Sequence, residues 1–160
     1  MKARTAIIAL LCIAAATTLA YRTINRDWVI YRHAEMLYKK KEYVKAIPYY
    51  SSLLEKGFKD PVALSRLGEM YLATSDLDKA RSVYEAMLRN DPLNMWARVT
   101  IADIYMRLGK YERTVGIYTM LLRSRPEDKH LHILLARALT AKGDFDGAIS
   151  HYKIALGEEK

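Results

Sequence analysis

The chain has 160 residues, 51% of them hydrophobic and 28% charged, with four prolines and seven glycines. That balance excludes a disordered polyelectrolyte, allows one domain with an adequate core, and favours helix throughout, with no sheet. The formal charge of +8 is not a nucleic-acid footprint: Asp and Glu are interleaved with Lys and Arg from residue 27 onward, and no basic run exceeds Lys39, Lys40 and Lys41, so no nucleic acid partner is expected.

The first element is apolar. Residues 5 to 21, TAIIALLCIAAATTLAY, carry no charge, follow the basic start MKAR and end at Arg22. As a helix they reach about 25 Å, at the short limit for a hydrocarbon layer of about 30 Å. Two readings stand side by side. One is a secretory signal with apolar centre 6 to 14 and the small-residue ending Thr18, Leu19, Ala20. The other, preferred, is an uncleaved transmembrane signal-anchor with Tyr21 and Arg22 at the interface. Basic residues balance across the segment, and its brevity and alanine content favour a body on the exported, periplasmic side, with a cleaved periplasmic form as the alternative. Cys12, the single cysteine, lies in this segment, so the rest of the chain can form neither a disulfide nor a thiolate metal site.

From Asp27 to Lys160 the chain repeats every 34 residues, in units 27–60, 61–94, 95–128 and 129–160. Place 8 of each unit holds Ala34, Gly68, Ala102 and Ala136, and place 20 holds Ala46, Ala80, Thr114 and Ala148. Small side chains there let paired helices approach closely. Place 11 holds Leu37, Tyr71, Tyr105 and Leu139, and place 24 an unbroken column of Tyr50, Tyr84, Tyr118 and Tyr152 that fills the gaps between helices.

Each unit shows two apolar runs at helical spacing, such as Leu64, Leu67, Tyr71 and then Ala80, Tyr84, Met87, Leu88. Between the runs, Ser75-Asp76, Gly109-Lys110 and Gly143-Asp144 suit a helix end, while Asp78, Glu112 and Asp146 favour the next start. Pro61 fits a first helical turn, and Pro92 and Pro126 stop second helices. A hairpin this short cannot bury its apolar face alone, so the units must stack.

This pattern resembles the tetratricopeptide repeat family over residues 27 to 160, best in unit two with Leu67, Gly68, Tyr71, Ala80, Tyr84 and Pro92. Departures are Leu64 where tryptophan is common, Thr114 where alanine is usual, and Phe58 where unit one lacks its proline. The expected fold is therefore all-α, a right-handed solenoid of four such hairpins preceded by an N-terminal apolar helix, residues 1 to 26.

The resemblance further implies a concave groove faced by places 2, 5, 9, 12 and 13. The candidate partner-binding residues are Trp28, Tyr31, Glu35, Tyr38, Val62, Glu69, Leu72, Trp96, Val99, Asp103, Met106, His130, Ile133 and Arg137. Place 9 runs Glu35, Glu69, Asp103, Arg137, an acidic row ending in a base. Family members that clamp a chaperone's carboxylate terminus carry asparagine there with lysine and arginine nearby, and that set is missing. A peptide or helical segment with apolar and some basic character is the expected ligand.

His130 and His132 lack the i, i+4 spacing of helical metal ligands, and Asp76/Asp78 and Asp144/Asp146 serve helix starts better than a calcium loop. No metal, cofactor or catalytic residue is expected, and no nucleophile motif or phosphate loop occurs. The residues after the second helix of unit four are Gly157, Glu158, Glu159 and Lys160, so the outer face near Ile149, Tyr152 and Leu156 is expected to dock a partner or a second copy. The expected function is a non-enzymatic interaction scaffold or assembly factor at a membrane. The alternative is a structural subunit buried permanently in a larger envelope complex.

Overall fold

The structure, a computed structural model, describes residues 2–57 and 60–158. Among them are eight α-helices and no strand: α1 Lys2–Lys39, α2 Tyr43–Glu55, α3 Pro61–Ala73, α4 Leu77–Asn90, α5 Met95–Arg107, α6 Tyr111–Ser124, α7 Lys129–Lys142 and α8 Phe145–Leu156. Helices pair within the 34-residue period in α1–α2, α5–α6 and α7–α8, as the spacing requires. They divide between two compact units, residues 1–70 and 71–160.

In the first unit α1 packs on α2. Ala34 and Ala46, with no exposed surface, mark the close approach, and Leu37, Tyr50 and Leu53 fill the space around it. The first ten residues of α3 add buried Ala63, Leu67 and Met70. No break falls at residue 26. α1 runs unbroken for 38 residues from the apolar segment into the first hairpin, because Arg22 to Arg26 contain neither glycine nor proline.

In the second unit α4 packs on α5, α5 on α6, α6 on α7 and α7 on α8. Tyr84 and Tyr118 are fully buried, as is Tyr50 in the first unit. At about 25 cal/mol per Å² of apolar area, each contributes on the order of 2–3 kcal/mol. Thr114, the departure from alanine, is also fully buried. Its hydroxyl donates to the Ala102 carbonyl at 3.2 Å, so the added polar atom is satisfied.

Place 15, the turn inside each hairpin, has positive φ in all four units: Lys41 at 59°, Ser75 at 61°, Gly109 at 69° and Gly143 at 92°. Two glycines take this left-handed conformation freely, and Lys41 and Ser75 take it at a steric cost. In the second and fourth repeats the side chain of the next residue caps the following helix, while Glu42 and Lys110 at the same place make no such bond. Asp76 accepts from the Lys79 amide at 3.3 Å and Asp144 from the Gly147 amide at 3.0 Å, which is the role expected in place of a calcium loop. Asn94 and Asp128 cap α5 and α7 in the same way, at 3.0 and 3.1 Å. Pro61 opens α3, and Pro92 and Pro126 follow the ends of α4 and α6. Phe58 lies outside the described residues. Pro48 sits inside α2 on its exposed side, a position the hairpin pattern does not explain.

Candidate partner-binding surface

In the first unit, α1 presents Trp28, Tyr31, Glu35 and Tyr38. Trp28, 56% exposed, stands edge-on to Tyr31 at 6.3 Å, and Tyr31 stands edge-on to buried Tyr50 of α2 at 6.1 Å. Trp28, Tyr31 and Glu35 line an open depression that continues along α1 to Met36, Lys39 and Lys40. Val62 on α3 is 48% exposed.

The carboxylates of this unit do not stand free. Glu35 accepts a hydrogen bond from the Tyr50 hydroxyl and pairs with Arg66. The Tyr38 hydroxyl donates to Glu69 at 2.5 Å, and the Arg66 guanidinium lies 5.1 Å from the Tyr38 ring centre. The Glu69 carboxylate, with burial second, pushes the Tyr38 pKa up to about 12. Burial is the main cause of the rise at Tyr50.

The second unit repeats the device: the Tyr118 hydroxyl donates to Asp103 at 3.0 Å. Burial raises the Tyr118 pKa, with the Asp103 charge and hydrogen bond adding to it. Glu35–Tyr50 and Asp103–Tyr118 are therefore one motif, a place-9 carboxylate on the first helix satisfying the hydroxyl of the buried place-24 tyrosine on the second. Of the acidic row read from the sequence, Glu35 and Asp103 act within their hairpins, while Glu69 accepts from Tyr38 of the preceding repeat. In the fourth repeat Arg137 stands at place 9 and offers no acceptor to Tyr152, which is 37% exposed.

The other candidates of the second unit lie on α3, α5 and α7. Leu72 is half-buried. Trp96 is 46% exposed while its ring meets Tyr84 edge-on at 5.1 Å. Val99 and Met106 are partly buried against the core between α5 and α8. His130, Ile133 and Arg137 are exposed on α7.

His132 is buried, and the pattern of spacings gave no sign of its partner. Its Nε2 lies 2.7 Å from the Pro126 carbonyl, which only accepts, so Nε2 carries hydrogen. Its Nδ1 lies 2.9 Å from Nδ1 of His151, so one proton is shared between the two rings. This ties α7 to α8 and to the turn before α7. Among the described residues no group of three or more His, Cys, Asp or Glu could hold a metal ion.

Along the N-terminal part of α1, residues 7, 8, 10–19 and 21 are all exposed, with Ile8 at 61% and Leu11 at 65%. The transmembrane anchor expected from the sequence gains no support: among the described residues no helix is long and apolar enough to cross a membrane.

Three sequence models of the tetratricopeptide repeat match, over residues 31–94, 71–138 and 131–160. The chain belongs to the tetratricopeptide repeat family. Solved structures of MamA share its fold, which is an all-α solenoid of repeat hairpins. MamA from Desulfovibrio magneticus RS-1 aligns with TM-score 0.68 at 15% identity, covering 82% of this chain and 74% of that one. MamA AMB-1 aligns with TM-score 0.64 at 24% identity, covering 82% and 72%. MamA MSR-1 aligns with TM-score 0.62 at 23% identity, covering 82% and 76%. No curated protein sequence matches. Membership in this repeat family makes the chain a protein-interaction scaffold.

Proposed function

We propose that this scaffold is non-enzymatic, holds a peptide or helical segment of a partner protein on its first-helix faces, and is attached to a membrane by the apolar start of α1 with its repeats on the exported side. The observation that carries the partner reading is apolar exposure at expected contact places: Trp28, Val62, Trp96 and Ile133 are between 40% and 56% exposed. Side chains of that kind at the surface gain from being covered by another molecule. With Glu35, Glu69 and Asp103 engaged by tyrosines of the scaffold, the ligand is recognised chiefly by apolar contact.

Membrane attachment is supported by the run of exposed, charge-free side chains at residues 7, 8, 10–19 and 21. A helix apolar on all sides requires an apolar environment.

A photo-crosslinking residue at Ile133, compared with one at Lys153 in intact cells, tests the partner site. Crosslinks to a defined segment of one protein from position 133, lost with Trp96→Ala, support it. Equal capture at both positions refutes it. Release of the chain from the membrane fraction by Ile8→Glu with Leu11→Glu tests attachment, and a protein soluble before substitution argues against it.

A further inference from the structure

The same places are buried on the first helix of each later repeat, and the α6–α7 joint shows the two faces that meet. On first helices, places 3, 7 and 10 are buried in α3 (Ala63, Leu67, Met70), in α5 (Ala97, Ile101, Ile104) and in α7 (Leu131, Leu135, Ala138). In α1 they are open: Val29 is 64% exposed, His33 is exposed and Met36 is 44% exposed. With Arg32 these side chains line a shallow depression.

The complementary face lies on second helices at places 17, 21, 24 and 28. In α6 these are Tyr111, Val115, Tyr118 and Leu122, all buried or half-buried. Val115, Tyr118 and Leu122 share one apolar cluster with Leu131, Leu135 and Ala138 of α7. In α8 the same places hold Phe145, Ile149, Tyr152 and Leu156, at 63%, 53%, 37% and 70% exposure. Among the described residues, α8 is the second helix with all four open. The chain thus carries one unmated half of its own joint on α1 and the other half on α8.

We propose that a second copy of this chain completes the joint, α8 of one copy receiving α1 of the next, head to tail. The α6–α7 joint is antiparallel, so copying it sets the start of α8 against the end of α1. That brings exposed Asp146 to exposed Lys39 and Lys40, opposite in charge. Arg32 and His33, where α7 has Leu134 and Leu135, make the intermolecular joint more polar than the internal one and therefore reversible. The contact is heterologous: each copy uses a different face, so association continues beyond two copies unless it closes.

Sedimentation velocity on the full chain over a range of concentrations tests this. Wild-type chain is expected to form species larger than a dimer as concentration rises. Val29→Asp with Met36→Asp blocks one face, and Ile149→Asp with Leu156→Asp blocks the other. Each variant alone is expected to be monomeric with unchanged circular dichroism, its self-affinity down at least about tenfold from burying an unpaired carboxylate. An equimolar mixture of the two must give a one-to-one dimer, because one variant retains α8 and the other α1. A charge exchange supplies a check independent of apolar packing: Lys39→Glu with Lys40→Glu weakens association and added Asp146→Lys restores it. A wild-type monomer throughout, an oligomer persisting in either blocked variant, a mixture that stays monomeric, or a charge exchange that restores nothing would overturn the proposal. Persistence in both variants would place self-association in the apolar start of α1, and persistence in the α1-face variant alone would point to α8 pairing with itself.

Discussion

The pairing of Tyr118 with Asp103 predicts an asymmetry that a double-mutant cycle can read. Tyr118 is 1% exposed and Asp103 is exposed, so the two ends of one 3.0 Å bond face different surroundings. Tyr118→Phe removes the buried hydroxyl and leaves a carboxylate that rehydrates, at a cost of about 0.5–1.5 kcal/mol. Asp103→Ala leaves the hydroxyl buried without its acceptor, at about 1–3 kcal/mol, offset by about 0.5 kcal/mol of improved helix propensity inside α5. In the Tyr118→Phe background the same Asp103→Ala removes no bond, and only the propensity gain remains, so it becomes neutral or stabilising. The coupling energy is then about 1–3 kcal/mol, measured by urea unfolding of the four proteins followed by far-ultraviolet circular dichroism. A coupling below about 0.3 kcal/mol, within the usual additivity of independent sites, would refute the hydroxyl–carboxylate motif as a source of hairpin stability.

Alkaline pH acts on the same motif. Tyr38, Tyr50 and Tyr118 all have pKa values raised above 10.0 in the folded chain, so the folded state holds these protons more tightly and their stabilisation is complete below pH 10. It is lost as pH rises from 10.0 through the folded values, about 12 for Tyr38. Urea midpoints should fall over that range, and Tyr38→Phe with Tyr118→Phe should flatten the fall. Ser75→Gly and Lys41→Gly, which relieve non-glycine residues at φ 61° and 59°, should each stabilise by about 0.5–1 kcal/mol. Gly143→Ala, at φ 92° with open space around the added carbon, should destabilise by about 1 kcal/mol, read in the same assay. His132→Ala removes the contacts to Pro126 and His151 and should cost about 2 kcal/mol, with faster amide exchange concentrated in α8.

The repeat period made the hairpins legible because each structural demand recurs at one residue type: small at places 8 and 20, tyrosine at place 24. The turn at place 15 was readable where it is Gly109 or Gly143, and less so where Lys41 holds the same conformation without glycine. The role of Glu35 and Asp103 was not read from the sequence. Fifteen residues separate each from its tyrosine, which matches no helical period, and only folding the hairpin brings them together. His151 was missed for the same reason, lying nineteen positions from its partner ring. The exposed apolar positions Trp28, Val62, Trp96 and Ile133 were singled out through the family resemblance, not through the period itself.

The unbroken course of α1 leaves no swivel between its apolar start and the first hairpin. Each residue of helix turns by 100° and advances about 1.5 Å, so a single alanine inserted between Tyr21 and Asp27 would swing Val29, His33 and Met36 through more than a quarter revolution relative to the start of the chain. Whatever grips that start therefore also sets the compass bearing of the first repeat, and the spacing of these few residues works as an angular setting as much as a length.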